Sequence, residues 1–346
     1  MSGRSVSPAR VRWLECAPEG WDALVAADPA ASPSHRREAW SAFADAFPAH
    51  ELRVAVVEED GVLLGGAPVL LERRGPFTWV HALPRMLPGT PIARPGRHAE
   101  VDLAVAGALA DLARERGIVG GAWSLYRPVG PAPAAEALAR VPGETRWVEA
   151  AVVDLARGLD AALARVERKQ RQALRHPRTR SLAFSDEPAH LEAAYALHRA
   201  QAKRWGGHQP LPLELSRRLM AGGAPVGRVF ALSDARGPVS AAFALDGPHE
   251  TFVWWSGTHA EGRRRGAFAL LLWRIVEWAH AHGRARVNLG ASTGLEQVAF
   301  FKHGLGADTC RYPLLWLDAR HAAGPGRAVA WLQSRLRAGR ARGEAA

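Results

Sequence analysis

The stretch GTHAEGRRRGAFALLLWRIVEWAHAHGRARVNLGASTGLEQVAFFKHGLGA, residues 257–307, decides the fold class of this chain. It contains a basic loop with glycines, a helix at about 267–282, a short strand at 285–289 and a second helix. A helix that links two strands in this order is typical of a parallel crossover, which is right-handed in nearly all proteins. The stretch therefore predicts an α/β fold.

Antiparallel strands precede this crossover, and the first half of the chain repeats the order of elements. Alternating apolar residues and short turns predict three strands before the crossover and three at corresponding places in the first half: 228–233, 238–246, 251–257, 51–58, 62–71 and 77–83. A helix and another strand follow in both halves. The two halves therefore match in the order of their elements.

This duplication predicts two tandem domains of the α/β class. Each is expected to be a mixed sheet in which an antiparallel meander leads into a β-α-β crossover. We place the first domain at residues 1–155 and the second, which holds the donor site, at 156–322. A short helix and a basic flexible tail are expected at 323–346.

Length and composition are those of a globular protein that can form two cores. The chain has 346 residues, of which 48% are hydrophobic and 8% aromatic. Its most apolar stretch, GAFALLLWRIVEWAHAHG, is interrupted by Arg274 and Glu277, and the amino terminus lacks the apolar segment of a secretory signal. We therefore expect no membrane span and a cytoplasmic location.

The chain is strongly basic, with a net charge of +11, although only three of its 45 basic residues are lysines. Such a charge favours anionic partners, for example phosphates or nucleic acid. Part of the charge lies on a predicted amphipathic helix within residues 159–175, where Arg168, Arg171 and Arg175 face away from the apolar side and Lys169 flanks them. This face is either solvated or a contact for an anionic partner.

The basic loop EGRRRGA precedes the helix at 267–282. The amino terminus of a helix offers unpaired N–H groups and the positive end of the helix dipole, and Gly266 would let an anion approach the backbone. Arg264 and Arg265 add positive charge. The loop is therefore either a binding site for a phosphate or pyrophosphate, or a solvated turn.

Two further features lie downstream of this loop. Asn288 and Gly290 stand at the carboxyl end of a predicted parallel strand, where open α/β sheets bind ligands, although Gly290 could simply end the strand. Lys302 projects among the apolar residues of the last helix. Because burying an unpaired ammonium is costly, Lys302 either reaches solvent or the last carbonyls of its helix, or meets an anion in a cleft.

Other chemistries have little support in the sequence. His280 and His282 stand two residues apart on a helix and do not face one metal site, so no metal is expected. The two cysteines lie far apart and have no neighbours that suggest a disulfide framework. Trp254 and Trp255 alternate across a strand, so Trp255 is a candidate for contact with the substrate, with core packing of both as the alternative.

Several segments together resemble the Fem-type branch of the GNAT acyltransferase superfamily. The linker VVDLARGLDAALARVERKQRQALRH and the following LHRAQAKRWGG are similar to an arginine-rich helical region of that family. The helix, strand and FK-containing helix of residues 257–307 are similar to its carboxyl-terminal pattern. SHRREAWSAFADAF and DGVLLGGAPVL look like parts of its first GNAT-like domain, so the resemblance covers most of the chain.

The resemblance implies two tandem GNAT-like domains and the transfer of an acyl group to an amine. Typical GNAT enzymes use acyl-CoA as the donor, whereas the peptidoglycan-bridge branch uses aminoacyl-tRNA. Lys302 matches the lysine of the family's FK motif, which is thought to stabilise negative charge on the reacting carbonyl or on a bound phosphate. Arg264, Arg265 and Gly266 would hold the donor phosphate.

The sequence departs from the family pattern at two places. Asn288 stands where the family commonly has an aspartate, so a carboxylate base is absent there, and Glu296, a substitute, faces away from Lys302 on helical geometry. No glycine follows Ala267, so the glycine pattern of enzymes that bind CoA is only partly present.

We therefore expect an acyltransferase that moves an acyl group from acyl-CoA to an amine of a small-molecule or cell-envelope-precursor acceptor. Four residues are the candidates for contact with the acceptor or with tRNA: Lys169, Arg171, Arg204 and Trp255. One alternative is a Fem-type aminoacyltransferase that uses aminoacyl-tRNA in cell-wall or natural-product chemistry. The other is a non-catalytic scaffold, derived from the GNAT fold, that binds nucleic acid.

Overall fold

A computed structural model describes residues 9–75, 77–82, 87–176, 179, 181–205, 209–292 and 295–318. The helix and tail predicted at 323–346 lie outside these residues.

The elements follow one another in this order: β1 (Arg10–Leu14), α1 (Trp21–Ala27), a 3-10 turn (Pro33–His35), α2 (Arg37–Ala46), β2 (His50–Glu59), β3 (Val62–Arg74), β4 (Phe77–His81), β5 (Ile92–Ala93), α3 (His98–Glu115), β6 (Ile118–Ser124), α4 (Ala135–Arg140), β7 (Glu144–Asp154), α5 (Leu159–Arg165), α6 (Arg168–Arg175), β8 (Ala183–Ser185), a second 3-10 turn (Pro188–His190), α7 (Leu191–Trp205), α8 (Leu213–Met220), β9 (Gly227–Asp234), β10 (Gly237–Asp246), β11 (Glu250–Thr258), α9 (Ala260–Arg264), α10 (Ala267–Ala281), β12 (Arg286–Ala291), α11 (Glu296–Gly304) and β13 (Asp308–Asp318).

These elements belong to two compact units, neither of which is continuous in sequence. The first takes its described residues from 9–30, 43–147 and 312–318, and the second takes residues 31–42 together with the described part of 148–311. The first unit thus includes the end of β13, and the second includes most of β7. The contiguous domains expected at 1–155 and 156–322 stay a prediction.

The first unit is a mixed sheet with the predicted order of elements. Strands β1 to β4 form an antiparallel meander, and β6 lies parallel to β4 after the crossover helix α3. The end of β13 pairs antiparallel with β6. Helix α3 buries Val101, Val105 and Leu109, spaced four residues apart on one side, against Val69 and Leu71 of β3 in a common apolar core.

The second unit repeats this plan. Strands β8 to β11 form an antiparallel meander, β12 lies parallel to β11 after helix α10, and β7 pairs antiparallel with β12. Leu271, Leu272 and Ile275 of α10 are at most 2% exposed and pack in one core with Val287 of β12. The predicted mixed α/β fold, an antiparallel meander followed by a β-α-β crossover, is therefore present in both units.

The basic amphipathic helix expected within residues 159–175 is two helices, α5 and α6. The helical conformation breaks at Val166, which is extended and 1% exposed in the core. The next N–H, that of Glu167, donates to the carbonyl oxygen of Gly304 over 2.9 Å instead of to its own helix. A tertiary hydrogen bond thus replaces a helical one, and the prediction of a single helix was wrong.

The last helix, α11, does not bury all of the apolar residues among which Lys302 was expected to project. Leu295 is 56% exposed and Val298 is 36% exposed. Only Phe301 packs inward, where its ring stacks on that of Phe268 with centroids 5.6 Å apart. The helix begins at Glu296, so Leu295 lies outside it. Lys302 is therefore buried without a complete apolar stripe around it.

Within the described residues, no helix has both the length and the apolar character that crossing a membrane requires.

Candidate active site

The parallel strands of the second unit separate at their carboxyl ends. β11 and β12 pair from Glu250 and Arg286 as far as Phe252 and Asn288, and β11 then runs on to Thr258. A bulge at Trp254 shifts the register of β11 against β10 within this free part. The gap between diverging strands is the place where open α/β sheets bind ligands.

Helix α10 begins beside this gap, directly after β11 and the short helix α9. Gly266 precedes its first turn with φ of 70°, and no side chain of the described residues caps the helix. Among the described residues, only Gly266 itself and its chain neighbours have heavy atoms within 4 Å of the position that a Cβ on Gly266 would occupy. The first turn therefore presents backbone N–H groups and the positive end of a 15-residue helix to an anion.

The three arginines before Gly266 are held by neighbouring groups. Arg263 donates to the carbonyl oxygen of Thr258 over 2.6 Å, and Arg264 forms an exposed ion pair with Glu261. Arg265 lies 3.3 Å from Asp234 and donates to Ser181 Oγ over 2.8 Å.

Such partly exposed pairs contribute little to stability, so a phosphate could compete for these cations. The binding of donor phosphate by Arg264, Arg265 and Gly266 stays a prediction.

Gly262 has a different role: a Cβ there would lie 2.4 Å from the carbonyl oxygen of Val239, so this glycine is needed for packing.

Lys302 lies in α11 and is 8% exposed. Its Nζ donates to the carbonyl oxygens of Gly290 and Ala291, at 2.8 and 3.0 Å. Among the described residues, no carboxylate forms an ion pair with it. Burial lowers the pKa of Lys302 to about 8. An ammonium has three N–H donors, so one remains for a ligand after the two carbonyls are served.

Asn288 and Gly290 belong to β12, the strand whose carbonyl oxygens accept hydrogen bonds from Lys302. Gly290 lies inside β12, not at its end, with φ of 76°, and its N–H donates to Asn288 Oδ1 over 2.8 Å. Asn288 is 2% exposed. Asn288 is therefore connected to Lys302 through Gly290, which donates to Asn288 and accepts from Lys302. A direct contact of Asn288 or Gly290 with a cofactor stays a prediction.

The predicted acceptor-binding residues lie on other elements. Lys169 and Arg171 belong to α6, where Lys169 is exposed and Arg171 half-buried, and Arg204 is exposed in the last turn of α7. Trp255 is 9% exposed and stacks on His198 and Phe243, with ring centroids 4.9 and 5.1 Å apart.

Within the described residues, no hydrogen bond or ion pair joins these four side chains to Lys302. Contact with the acceptor stays a prediction for all four.

Sequence reasoning missed two buried ionic residues beside the site. Glu250 is 0% exposed, and Arg286 Nε donates to its Oε2 over 2.7 Å. Both stand next to turns in the sequence, where charged residues are usually solvated, so no local signal marks them. Glu296, the substitute base, is exposed in the first turn of α11. Among the described residues, no group of three or more His, Cys, Asp or Glu side chains could hold a metal ion.

Comparisons with known proteins show what this chain is similar to. Residues 161–302 match the model of an acetyltransferase (GNAT) domain. A search of curated protein sequences found no match. Among solved structures, FemX has a TM-score of 0.67 at 11% identity, covering 87% of this chain and 96% of its own. A conserved protein of unknown function from Bacteroides thetaiotaomicron VPI-5482 has a TM-score of 0.58 at 12% identity, covering 89% of this chain and 100% of its own. Residues 161–302 therefore match a GNAT domain, and the chain has a fold similar to that of FemX, a Fem-type member of the GNAT superfamily.

Proposed function

We propose that this protein is an N-acyltransferase that moves an acyl group from acyl-CoA to the amine of a small molecule or cell-envelope precursor. The observation that supports this most is the buried Lys302, whose ammonium lies on two carbonyl oxygens where β11 and β12 separate. A cation held in this way can stabilise the negative charge that develops on a carbonyl oxygen during acyl transfer. GNAT enzymes as a superfamily perform this reaction.

The residues at the start of α10 fit an acyl-CoA. Its uncapped N–H groups and the open space at Gly266 suit the pyrophosphate of CoA. When bound, the thioester supplies an activated acyl carbonyl and a thiol leaving group. The chain would then hold the donor at α10 and place the Lys302 ammonium near the carbonyl. Attack by a positioned amine gains most of its rate from proximity.

An aminoacyl-tRNA donor is the second candidate. It is favoured by the basic face of α6, where Arg168, Lys169 and Arg175 are exposed and form no ion pair with other described residues. Phe268 also follows Ala267 where the glycine pattern of enzymes that bind CoA would have a glycine. This donor would place the acyl transfer in cell-wall or natural-product chemistry.

A matched pair of substitutions tests the donor. Gly266→Asn and Gly266→Asp both tolerate a positive φ, and the open space accepts either side chain. Only the aspartate sets a negative charge against a bound pyrophosphate. We expect acetyl-CoA at a hundred times its Kd to stabilise the wild type by about 2.7 kcal/mol, measured as a rise in Tm. Gly266→Asn should keep this rise, and Gly266→Asp should lose it.

The outcomes separate the candidate functions. A rise with acetyl-CoA that Gly266→Asp abolishes supports the acyl-CoA donor. No rise with acetyl-CoA, together with transfer of the aminoacyl group from aminoacyl-tRNA to an added amine, shows the second donor. Binding of nucleic acid without either activity would indicate the non-catalytic scaffold.

A further inference from the structure

A network of three buried polar side chains, Arg286, Glu250 and Asn288, lies where β11 and β12 begin to separate. They are 4%, 0% and 2% exposed. Glu250 and Arg286 are register partners in the parallel ladder, which brings guanidinium and carboxylate together at 2.7 Å. Arg286 also donates to the carbonyl oxygen of Ala31 over 3.1 Å. We call these three side chains the buried network.

The buried network fixes which way the amide of Asn288 points. A carboxylate beside a guanidinium only accepts hydrogen bonds, so Asn288 must turn its NH2 group towards Glu250. Asn288 Nδ2 lies 3.4 Å from Glu250 Oε1, on the long side for a hydrogen bond. The opposite end, Oδ1, then accepts the N–H of Gly290 over 2.8 Å. The charge of Glu250 thereby determines that Gly290 meets an acceptor and not a donor.

Gly290 transmits this orientation to Lys302. Between Asn288 and Ala291 the pairing of β12 with β7 shifts register, because three steps on β12 match two steps from Val152 to Ala150. The resulting bulge, with Gly290 at φ of 76°, turns its carbonyl out of the regular ladder. The carbonyl oxygens of Gly290 and of the next residue, Ala291, are the two that accept from Lys302 Nζ.

We propose that Asn288, oriented by the Glu250–Arg286 pair, is a positioning residue for Lys302: it fixes the bulge at Gly290, and the bulge holds the ammonium at the separating strands. The inference rests on the proposed function for its catalytic consequence. Its structural part is independent, since it concerns only the place and hydrogen bonds of one lysine. Asn288 is 2% exposed, and the role proposed here acts through Lys302 without contact between Asn288 and the reacting groups.

The three lysines of the chain make this directly measurable. Labelling with 13C-lysine gives three ε-CH2 signals in the full-length protein, and Lys169→Arg and Lys203→Arg assign the signal of Lys302 by elimination. In Asn288→Ala, the Gly290 N–H loses its acceptor. We expect the Lys302 signal to move towards those of the exposed Lys169 and Lys203, and its titration midpoint to rise towards the ordinary lysine value.

A matched control separates positioning from general damage to the strand. Val287→Ala shortens a fully buried side chain at the neighbouring position of β12, which lies on the opposite face of the strand from the side chains of Arg286 and Asn288. It should lower Tm and leave the Lys302 signal in place. Asn288→Ser keeps a hydroxyl that can accept, more weakly, from the N–H two residues on. This variant should therefore displace the Lys302 signal in the same direction as Asn288→Ala, but less far.

Catalysis gives a second readout. If acyl transfer is detected, Asn288→Ala should lower kcat about tenfold and leave KM for the donor nearly unchanged. A displaced ammonium stabilises the transition state less well, but it does not change the binding of the donor.

The signal of Lys302 alone decides the inference. The inference is wrong if Asn288→Ala and Asn288→Ser, or the one of them that folds, displace the Lys302 signal no further than Val287→Ala does. A displaced signal in a protein that shows no acyl transfer would uphold the inference and reject the proposed function.

Discussion

Lys302 and Gly290 are joined by a hydrogen bond of 2.8 Å from the lysine Nζ to the glycine carbonyl oxygen. The sequence left two environments open for this lysine: solvent or the last carbonyls of its own helix, or an anion in a cleft. The structure shows a third, in which the ammonium binds carbonyl oxygens of the neighbouring strand. This arrangement neutralises no charge, so the ammonium stays available for an anion.

Replacing Lys302 should therefore cost activity and not stability. We expect Lys302→Met to lower kcat by about a hundredfold or more, since one preorganised donor to an oxyanion is worth on the order of 3 kcal/mol. Its Tm should stay close to that of the wild type. Removing a buried charge stabilises the folded chain, and this gain offsets the cost of leaving two carbonyl oxygens without a donor.

Lys203→Met is the control, since it removes an exposed lysine from α7 and should change neither quantity. Enzyme assays and thermal unfolding of both variants check this. Parallel loss of Tm and activity in Lys302→Met would make Lys302 a structural residue.

The lowered pKa of Lys302 also predicts how stability depends on pH. In the folded chain the pKa is about 8, against 10.5 for the ordinary lysine of the unfolded chain. Between these values the unfolded chain holds the extra proton, so stability rises with pH through this window, by at most about 1.4 kcal/mol per pH unit. Below pH 8 Lys302 is protonated in both the folded and the unfolded chain, so the cost of burying its charge no longer changes with pH.

Urea unfolding at pH 7, 8.5 and 9.5 tests this against Lys302→Met, which lacks the titrating group. The free energy of unfolding of the wild type should gain on that of the variant as pH rises. A constant difference across this range would mean that Lys302 titrates at its ordinary value.

Much of the fold could be predicted from the sequence because it follows from local patterns. Alternation along strands and the apolar side of α10 gave the meander and the crossover, and the FK motif pointed to Lys302. The break at Val166 could not be predicted, because it depends on a hydrogen bond between Glu167 and Gly304, far apart in sequence. The Glu250–Arg286 pair was missed for the same reason: its burial results from parallel register and not from its neighbours.

The close contact of α7 with β11 predicts a large cost for one small substitution. A Cβ on Gly257 would lie 2.3 Å from the backbone carbon of Leu197 and 2.4 Å from the backbone nitrogen of His198. Backbone cannot move aside as a side chain can, so Gly257→Ala should destabilise the protein by about 1–3 kcal/mol.

Gly223→Ala is the matched control, because among the described residues only its chain neighbours lie within 4 Å of the added Cβ, and it should be neutral or slightly stabilising. Urea unfolding measures both variants. Equal stability of the two would show that α7 can shift away from β11.

The last prediction concerns the basic face of α6 and tests whether it binds tRNA, as an aminoacyl-tRNA donor would require. If Lys169 and Arg171 contact phosphates, Lys169→Gln with Arg171→Gln should weaken tRNA binding and reduce the slope of log K against log salt by about 2, one for each lost contact. Arg236→Gln removes one charge from a side chain that is 82% exposed on the turn between β9 and β10, and should leave the slope nearly unchanged. Filter binding over a salt series measures both. Equal slopes in the double variant and the control would show that this face of α6 is solvated, and the donor would then have to be held at α10 alone.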